Sequence, residues 1–492
     1  MKKAFAYLFS IVQLILACAF LYQLFKFDIL PPDLFLIAGG VILLFSALTL
    51  FMAKAKRVKT SVFLISLIFI GILAYGNYSL YITDGLLENN LNKNIANAQP
   101  VEEYISVIVM ADAEIESISD LNDYTLGIDT SFESDKMNYA SDWILENYSV
   151  SYTELSYDRL DLLINDLYSG SIAAILMDST RYSLCDDIQQ DFHTETKEVA
   201  KLKVDYSEFY ALTPTTAPTN TPTVSTEQPE GDITERPFII YVSGIDTYGT
   251  IAAKSRSDTN ILMAVDPIDK EILLITTPRD TYTPLYNVSG EAYDKLTHAG
   301  LYGPECCMGT LATLYNTDID YYIRVNFSSV VDIVNALDGI DVYSAYSFNS
   351  ANVWGYYFQK GMNHLYGDAT LAFCRERYSF PDGDNQRGRN HIEVIKGIIN
   401  KCTSPSILMN YSNLISSLNG SFETNISTDE LTSLIKMQLD DGASWTFESM
   451  ALENIGSTST TCYSLYGPSL YVGLVDETSR QAIEDALIEF MK

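Results

Sequence analysis

Positive charge is scarce in this chain: 31 lysines and arginines face 63 aspartates and glutamates, a formal net charge of −32. So acidic a surface repels phosphate backbones and anionic headgroups, which excludes nucleic acid as a partner and adhesion through acidic lipids. Cysteine is sparse as well, with seven in 492 residues. Adjacent Cys306 and Cys307 lack the spacing of a zinc site. Cys18 falls in an apolar run, and among the other six Cys402 and Cys462 form one pairing open to a disulfide, although spacing alone fixes no connectivity. Histidine is rarer still, at four. His298 and His364 have no evident partners in the sequence, which makes a structural role the expectation for both.

What is abundant near the start is apolar. Runs at 4–25, 34–53 and 61–82 are each roughly 20 residues long, about the length that crosses a bilayer, and predict three transmembrane helices. Lys2 and Lys3 precede the first run, and Lys54, Lys56, Arg57 and Lys59 fill the loop between the second and third. The positive-inside rule then puts the N-terminus in the cytoplasm and the chain beyond residue 83 outside, in contact with the lipid bilayer only through this anchor. No small-residue cleavage site follows the first run, so a span is favoured over a cleaved signal peptide.

The expected organisation is a membrane anchor over 1–83, an α/β lobe over 101–205, a Thr/Pro-rich linker over 206–235 and a larger α/β unit over 236–492. In the lobe, strands are predicted at 104–110, 124–128 and 172–177, and helices at 134–146 and 158–167. Residues 213–229 hold Thr and Pro with almost nothing apolar, the composition of an extended, semi-rigid spacer. The last unit opens with strands at 238–242, 260–265 and 271–275, the latter two joined by a turn at Asp266-Pro267-Ile268-Asp269-Lys270. Helical patterns follow at 327–337, 367–375, 385–401 and 478–491, giving a central mixed β-sheet with flanking helices.

Chemistry concentrates in the last unit. Ser255-Arg256-Ser257-Asp258-Thr259 is followed, one strand-turn-strand later, by Pro278-Arg279-Asp280, which sets Arg-Asp pairs at the ends of neighbouring apolar strands. With Gly244-Ile245-Asp246, Asp294-Lys295-Leu296-Thr297-His298, Arg375-Glu376-Arg377 and Gly383-Asp384-Asn385-Gln386-Arg387-Gly388, the order and spacing resemble the motifs of the LytR-CpsA-Psr family. In the lobe, Ile118-Ser119-Asp120-Leu121-Asn122-Asp123 and the phrase from Leu167 to Leu176 resemble one lobe of an extracellular solute-binding protein. One lobe alone suits a regulatory or interaction module better than a transport receptor.

The first resemblance implies a glycopolymer ligase that moves a polymer from an undecaprenyl pyrophosphate carrier to peptidoglycan, with magnesium, or manganese in its place. The family's metal ligands map onto Asp246 and Asp258, and two carboxylates plus substrate phosphate oxygens suffice for magnesium. Arg256, Arg279, Arg375, Arg377 and Arg387 would neutralise the pyrophosphate, since guanidinium forks bind phosphate bidentately and stay charged. Lys295 is a further donor, and Asp280 fits either of two roles, general base toward the acceptor hydroxyl or salt-bridge partner of Arg279.

Local geometry adds detail. Arg375 and Arg377 share a face if that stretch is extended, with Glu376 turned away. On a helix starting near Asp384, that residue, Arg387 and His391 form one stripe, and Arg389 lies off it toward solvent. His391 stands where the family usually shows Gln. It can donate to phosphate but can also titrate, so activity is expected to vary with pH near neutrality. The apolar stretches 330–337 and 392–399 suit either a polyprenyl groove or an ordinary core.

The sequence therefore predicts a membrane-anchored transferase at the outer face of a Gram-positive-type cytoplasmic membrane, acting on wall teichoic acid, capsule or another wall glycopolymer. Two other readings stay open: a pyrophosphatase of lipid-linked precursors, and a non-enzymatic envelope attenuator in which the lobe senses a ligand.

Overall fold

The structure, a computed structural model, describes residues 2–27, 32–54, 60–86, 104–206, 209, 231–247, 251, 254–404 and 422–492. The basic loop at 55–59 and most of the Thr/Pro-rich linker lie outside them.

Three helices open the chain, Lys2–Phe27, Pro32–Ala53 and Thr60–Leu86. The first two, over Phe5–Lys26 and Phe35–Ala53, are long and apolar enough to cross a bilayer, and the third holds a shorter apolar stretch, Leu64–Tyr78. Their packing is inside-out. Leu44 and Phe51 are exposed while Gln13 and Ser46 are buried; Gln13 accepts from Thr49 Oγ1 at 3.2 Å, and Asn77 Nδ2 on the third helix donates to the Leu16 carbonyl at 3.1 Å. Such interhelical hydrogen bonds hold helices together where the surroundings are as apolar as the side chains.

The lobe is a five-stranded sheet in the spatial order Thr153–Tyr157, Thr125–Asp129, Ala174–Asp178, Tyr104–Met110, Thr196–Lys203. The first three run parallel and the last two antiparallel to their neighbours. Helices Ser134–Tyr148 and Leu160–Tyr168 pack on it. Three strands and both helices stand where the sequence predicts them, within a few residues. The two unpredicted strands are the sheet's edges, whose sequences TELSY and TKEVAKLK are largely polar. Charged edges discourage pairing with other chains and give little apolar alternation to read.

In the last unit six strands form one mixed sheet, in the order Phe422–Thr424, Tyr321–Val325, Phe238–Ile245, Ser257–Asp266, Glu271–Thr276, Thr446–Ala451. On one face Tyr241, Leu262, Leu273 and Ile275 meet Leu311, Ile483 and Leu487 from helices Pro304–Tyr315 and Glu477–Phe490. On the other, Ile240, Ile261 and Leu274 cluster with Ile392 of helix Asp384–Cys402. A sheet covered on both faces explains why its strands read as continuous apolar runs. The predicted turn is present: the Asp266 carboxylate accepts from the backbone N–H of Ile268 and Asp269 at 2.8 and 3.1 Å.

One expectation is corrected, and one contact is added that the sequence does not announce. The lobe and the last unit pack together, because Leu160, Leu163, Ile164 and Ile172 of the lobe share one buried cluster with Leu301, Leu465, Leu470 and Val472. Arg181 Nη1 also donates to the Ser464 carbonyl at 3.1 Å, and the Phe132 and Tyr302 rings meet edge to face at 5.6 Å. Cys402 and Cys462 do not pair, since Cys462 belongs to that shared cluster while Cys402 packs on a different one around Val334 and Phe373. Burial pushes both thiols up to about 12, which keeps them protonated and unreactive. Alkylation after denaturation without reductant is therefore expected to label all seven cysteines; a chain carrying fewer labels would contradict the packing.

Candidate active site

Three antiparallel neighbours bring the motifs to one end of the sheet. Asp246 follows Phe238–Ile245, Asp258 sits at the start of Ser257–Asp266, and Arg279 comes just after Glu271–Thr276. Pairing of Gly244 with Thr259 and of Ile245 with Ser257 leaves Asp258 without a cross-strand partner. A bulge of this kind bends the strand and re-aims the side chain. Beneath it, Ser257 Oγ lies 2.8 Å from both the Tyr241 hydroxyl and Ser243 Oγ, and Asn260 Nδ2 donates to the Ser257 carbonyl at 3.0 Å. These bonds satisfy backbone and hydroxyl groups that the irregular strand would otherwise bury unpaired.

Asp258 is the hub. Its Oδ2 lies 2.5 Å from Arg279 Nη1, and its Oδ1 accepts from Thr297 Oγ1 at 3.0 Å. Burial would raise this carboxyl, but Arg279, Arg256 and Arg387 hold it down to about 2. Asp246 is open to solvent on one side, and partial desolvation together with the charge of Asp258 pushes its carboxyl above the usual range, against the pull of Arg256, Arg375 and Arg279. Two carboxylates close enough to oppose each other's ionisation are a donor set suited to a divalent cation. Among the described residues no group of three or more His, Cys, Asp or Glu gathers as a metal cage, so the remaining ligands would have to come from substrate and water.

The cations are arranged around this pair. Lys295 Nζ lies 2.6 Å and Arg279 Nε 3.9 Å from Asp280 Oδ1, so Asp280 is the counter-charge of both. Arg256 is buried; its Nη1 lies 3.3 Å from Asp187 Oδ2 of the lobe, and its Nε has no hydrogen-bond acceptor among the described residues. Arg387 pairs with Asp384 at 2.8 Å on the first turn of its helix, as the predicted stripe requires, and Arg389 reaches out to Asp382 at 2.6 Å. Close approaches permit the assembly. A Cβ on Gly300 would stand 2.3 Å from the Ser255 carbonyl oxygen and 2.5 Å from the Ser257 nitrogen, and one on Gly388 2.8 Å from Thr276 Oγ1.

Several predicted placements change. Arg375 ends the helix Gly367–Arg375 and lies over the Phe327 ring, 4.5 Å from its centroid, and only from Glu376 on is the chain extended. Arg377 instead lies against Tyr378, its Nη2 2.8 Å from the hydroxyl. Between them Glu376 is buried, pointing inward as the sequence reading has it, and accepts from the backbone N–H of Arg377, Tyr378 and Ser379 at 2.8–3.0 Å, so it braces the turn at 378–379 that follows both arginines. His391 does not present a free nitrogen. Its Nε2–H donates to the Cys374 carbonyl at 2.8 Å, which leaves Nδ1 to accept from Thr259 Oγ1 at 3.1 Å. Desolvation and the charge of Arg387 lower its pKa to about 4, which removes the expected titration near neutrality.

His298 does have partners. It is fully buried, with Nδ1 2.7 Å from Asp294 Oδ1 and Nε2 3.9 Å from Asp187 Oδ2. Burial works against its charge, yet the two carboxylates hold its pKa above the ordinary imidazole value. Asp294 and His298 are four residues apart, a spacing from which the pair was readable. His364 likewise finds a cross-strand partner, Asp341, at 2.8 Å. Beside Arg375 a cleft of about 610 Å³ opens, lined by Ser328, Val331, Asn352, Trp354 and Leu371. Ile392 and Val394 of the second apolar stretch are core.

Residues 206–477 match the LytR_cpsA_psr family, slightly more than half of the chain. The chain belongs to this family. Among curated relatives, it is 34% identical over 205 residues to the polyisoprenyl-teichoic acid–peptidoglycan teichoic acid transferase TagU of Bacillus anthracis, covering 42% of this chain and 65% of the relative. The TagU of Enterococcus faecalis is 33% identical over 201 residues, 40% of this chain and 64% of that one. The chain thus spans slightly less than two thirds of the curated relatives it matches. Among solved structures, B. subtilis TagV superposes with a TM-score of 0.45 at 26% identity, over 52% of this chain and 98% of TagV.

Two outcomes follow from this geometry. Gly300→Ala forces backbone apart at Ser255–Ser257 and is expected to lower stability by about 1–3 kcal/mol, as overpacking does, read from the denaturant midpoint. His391 is neutral in the fold, so its contribution to stability is whole above pH 6.5 and is lost as pH falls toward about 4, where the unfolded chain binds the proton first. His391→Gln should flatten that part of the melting-temperature profile, while catalysis shows no titration of this ring between roughly pH 5.5 and 8.

Proposed function

We propose that the chain transfers a teichoic acid or related glycopolymer from a polyprenyl pyrophosphate carrier to peptidoglycan at the outer face of the cytoplasmic membrane. The observation that carries this reading is the convergence of Arg256, Arg279, Arg375 and Arg387 on the Asp246–Asp258 pair, in a chain whose family includes transferases named for that reaction. An attacking hydroxyl of the wall forms a bond to the sugar-linked phosphorus while the bond to the carrier phosphate breaks. In so loose a transition state charge accumulates on the phosphate oxygens, where fixed cations stabilise it most.

Each side chain then has a role. Arg279, fixed by Asp258, and Arg256, whose Nε has no acceptor among the described residues, present donors to the pyrophosphate. Arg375 approaches from the cleft side, held against Phe327. Asp246 and Asp258 would hold magnesium or manganese, which when bound supplies Lewis-acid neutralisation of the phosphates. Asp280 keeps Lys295 and Arg279 in place. The cleft beside Arg375 mixes apolar with polar lining and suits the parts of the substrate flanking the phosphates.

Orientation supports the same assignment. Lys2 and Lys3, with the basic residues between the second and third helices, favour three spans, a cytoplasmic N-terminus and both folded units outside, beside lipid-linked donor and wall acceptor.

The test is transfer of a polyprenyl-pyrophosphate-linked teichoic acid precursor to peptidoglycan by the purified full chain, with and without magnesium. Arg375→Ala is expected to lower kcat about 10²- to 10³-fold, the scale of removing a donor aimed at transition-state charge. Arg377→Ala, whose guanidinium lies on Tyr378, should cost under about tenfold, as expected where charge stabilisation is indirect. Equal losses, or product formed without any divalent cation, would contradict the assignment.

A further inference from the structure

The family match begins at residue 206, yet one charge in the candidate site comes from upstream of it. Asp187 lies in the short helix Cys185–Ile188 of the lobe, and its Oδ2 is 3.3 Å from Arg256 Nη1 and 3.9 Å from His298 Nε2. Its side chain is 18% exposed and that of Arg256 10%. Burial favours its neutral form, but His298, Arg256 and Lys295 hold it below the usual carboxylate range, so it is charged at neutral pH.

The contact is built into both units. From Asp187 the chain of contacts runs to His298, whose Nδ1 bonds Asp294 Oδ1; Asp294 Oδ2 accepts from the backbone N–H of Ser464 at 2.8 Å and also from its hydroxyl. The Ser464 carbonyl in turn accepts from Arg181 of the lobe, and Arg181 Nε is held by Asp129 at 2.6 Å. The circuit thus leaves the lobe at Asp187 and returns to it at Arg181. Around it lies the shared apolar cluster of Leu163, Leu465, Leu470 and Val472. A carboxylate fixed from two sides is a poor displaceable lid and a good template for a guanidinium, since a planar fork takes its orientation from the anion behind it.

We propose that Asp187 is a positioning residue for the transfer reaction: the lobe supplies the counter-charge that sets the direction in which Arg256 presents its remaining donors to the pyrophosphate, so the lobe is part of the catalytic unit. This rests on the proposed reaction.

The experiment is a double-mutant cycle on the full-length protein in membranes, with Asp187→Asn, Arg256→Lys and the pair, assayed with the lipid-linked precursor and peptidoglycan. Asp187→Asn is expected to lower kcat about 10- to 100-fold, as misplacement of a catalytic group does, with KM for the lipid changed less than about threefold. In the Arg256→Lys background it should cause no further fall. Unchanged kcat overturns the proposal, as does a rise, which would make Asp187 a clamp on Arg256, or losses that multiply, which would make its effect independent of Arg256. Where Asp187→Asn gives no folded protein, Asp187→Glu, which keeps the charge and moves it by one methylene, is read by the same criteria. If the wild type yields no wall-linked product, the proposed reaction fails, and the contact is judged from the cycle on thermal unfolding: non-additive shifts uphold it and additive shifts overturn it.

Discussion

The contact on which the rest of the site depends is the ion pair between Asp258 and Arg279 at the bulged end of the central sheet. Gathering guanidinium groups in a partly dehydrated floor is unfavourable unless carboxylates stand among them, and a buried charge left without its partner costs on the order of 3–5 kcal/mol. Asp258 answers that constraint for Arg279, while Arg256 and Arg387 also act on it. The bulge, the hydroxyl network under Ser257 and the close approach at Gly300 are the backbone conditions for placing one carboxylate among three cations.

The same constraint explains why the lobe cannot be treated as an appendage. Arg256 takes its counter-charge from Asp187, outside the family-matching region, and the buried His298 is held between carboxylates of the two units. Apolar burial joins them as well, because the cluster around Leu163 and Val472 has residues from both. Polar and apolar terms therefore point the same way: loosening the lobe would expose a core face and leave charge in the site uncompensated. Local opening that separates the two should carry a free energy well above that of an ordinary interdomain hinge.

Much of this was legible in the sequence where one element's own pattern decides the outcome. The helix Gly367–Arg375 has its predicted limits, and those at Phe327–Ala336, Asp384–Cys402 and Glu477–Phe490 differ by one residue at their ends. The ordered motifs located the cation cluster for the same reason, since Asp246, Asp258 and Arg279 sit at strand ends whose apolar runs are unmistakable. What the sequence hid was set by contacts between distant segments. Arg375 lies on Phe327 and Arg377 on Tyr378, and no periodicity reports those ring contacts or the turn at 378–379 built around the buried Glu376 carboxylate. His391 looked like a titrating donor because its two hydrogen-bond partners, Thr259 and the Cys374 carbonyl, come from other elements. Asp187 precedes Arg256 by 69 residues and carried no local signal at all.

Of the two roles open to Asp280, the geometry favours one. Its carboxylate is the nearest counter-charge of Lys295, a buried amine 2.6 Å away, and it also faces Arg279. Drawing a proton onto Asp280 would remove that charge while leaving Lys295 buried and charged, so the base role carries an electrostatic cost just where the site must stay cationic. The proposed chemistry asks little of a base. In a loose phosphoryl-transfer transition state the bond to the nucleophile is only partly formed, its hydroxyl proton is not yet strongly acidic, and stabilisation comes chiefly from charge around the transferring group. An aspartate that fixes two cations then contributes more than one that accepts a proton, and this agrees with the logic of the whole site, in which carboxylates hold positive charge where the proposed reaction puts the phosphates.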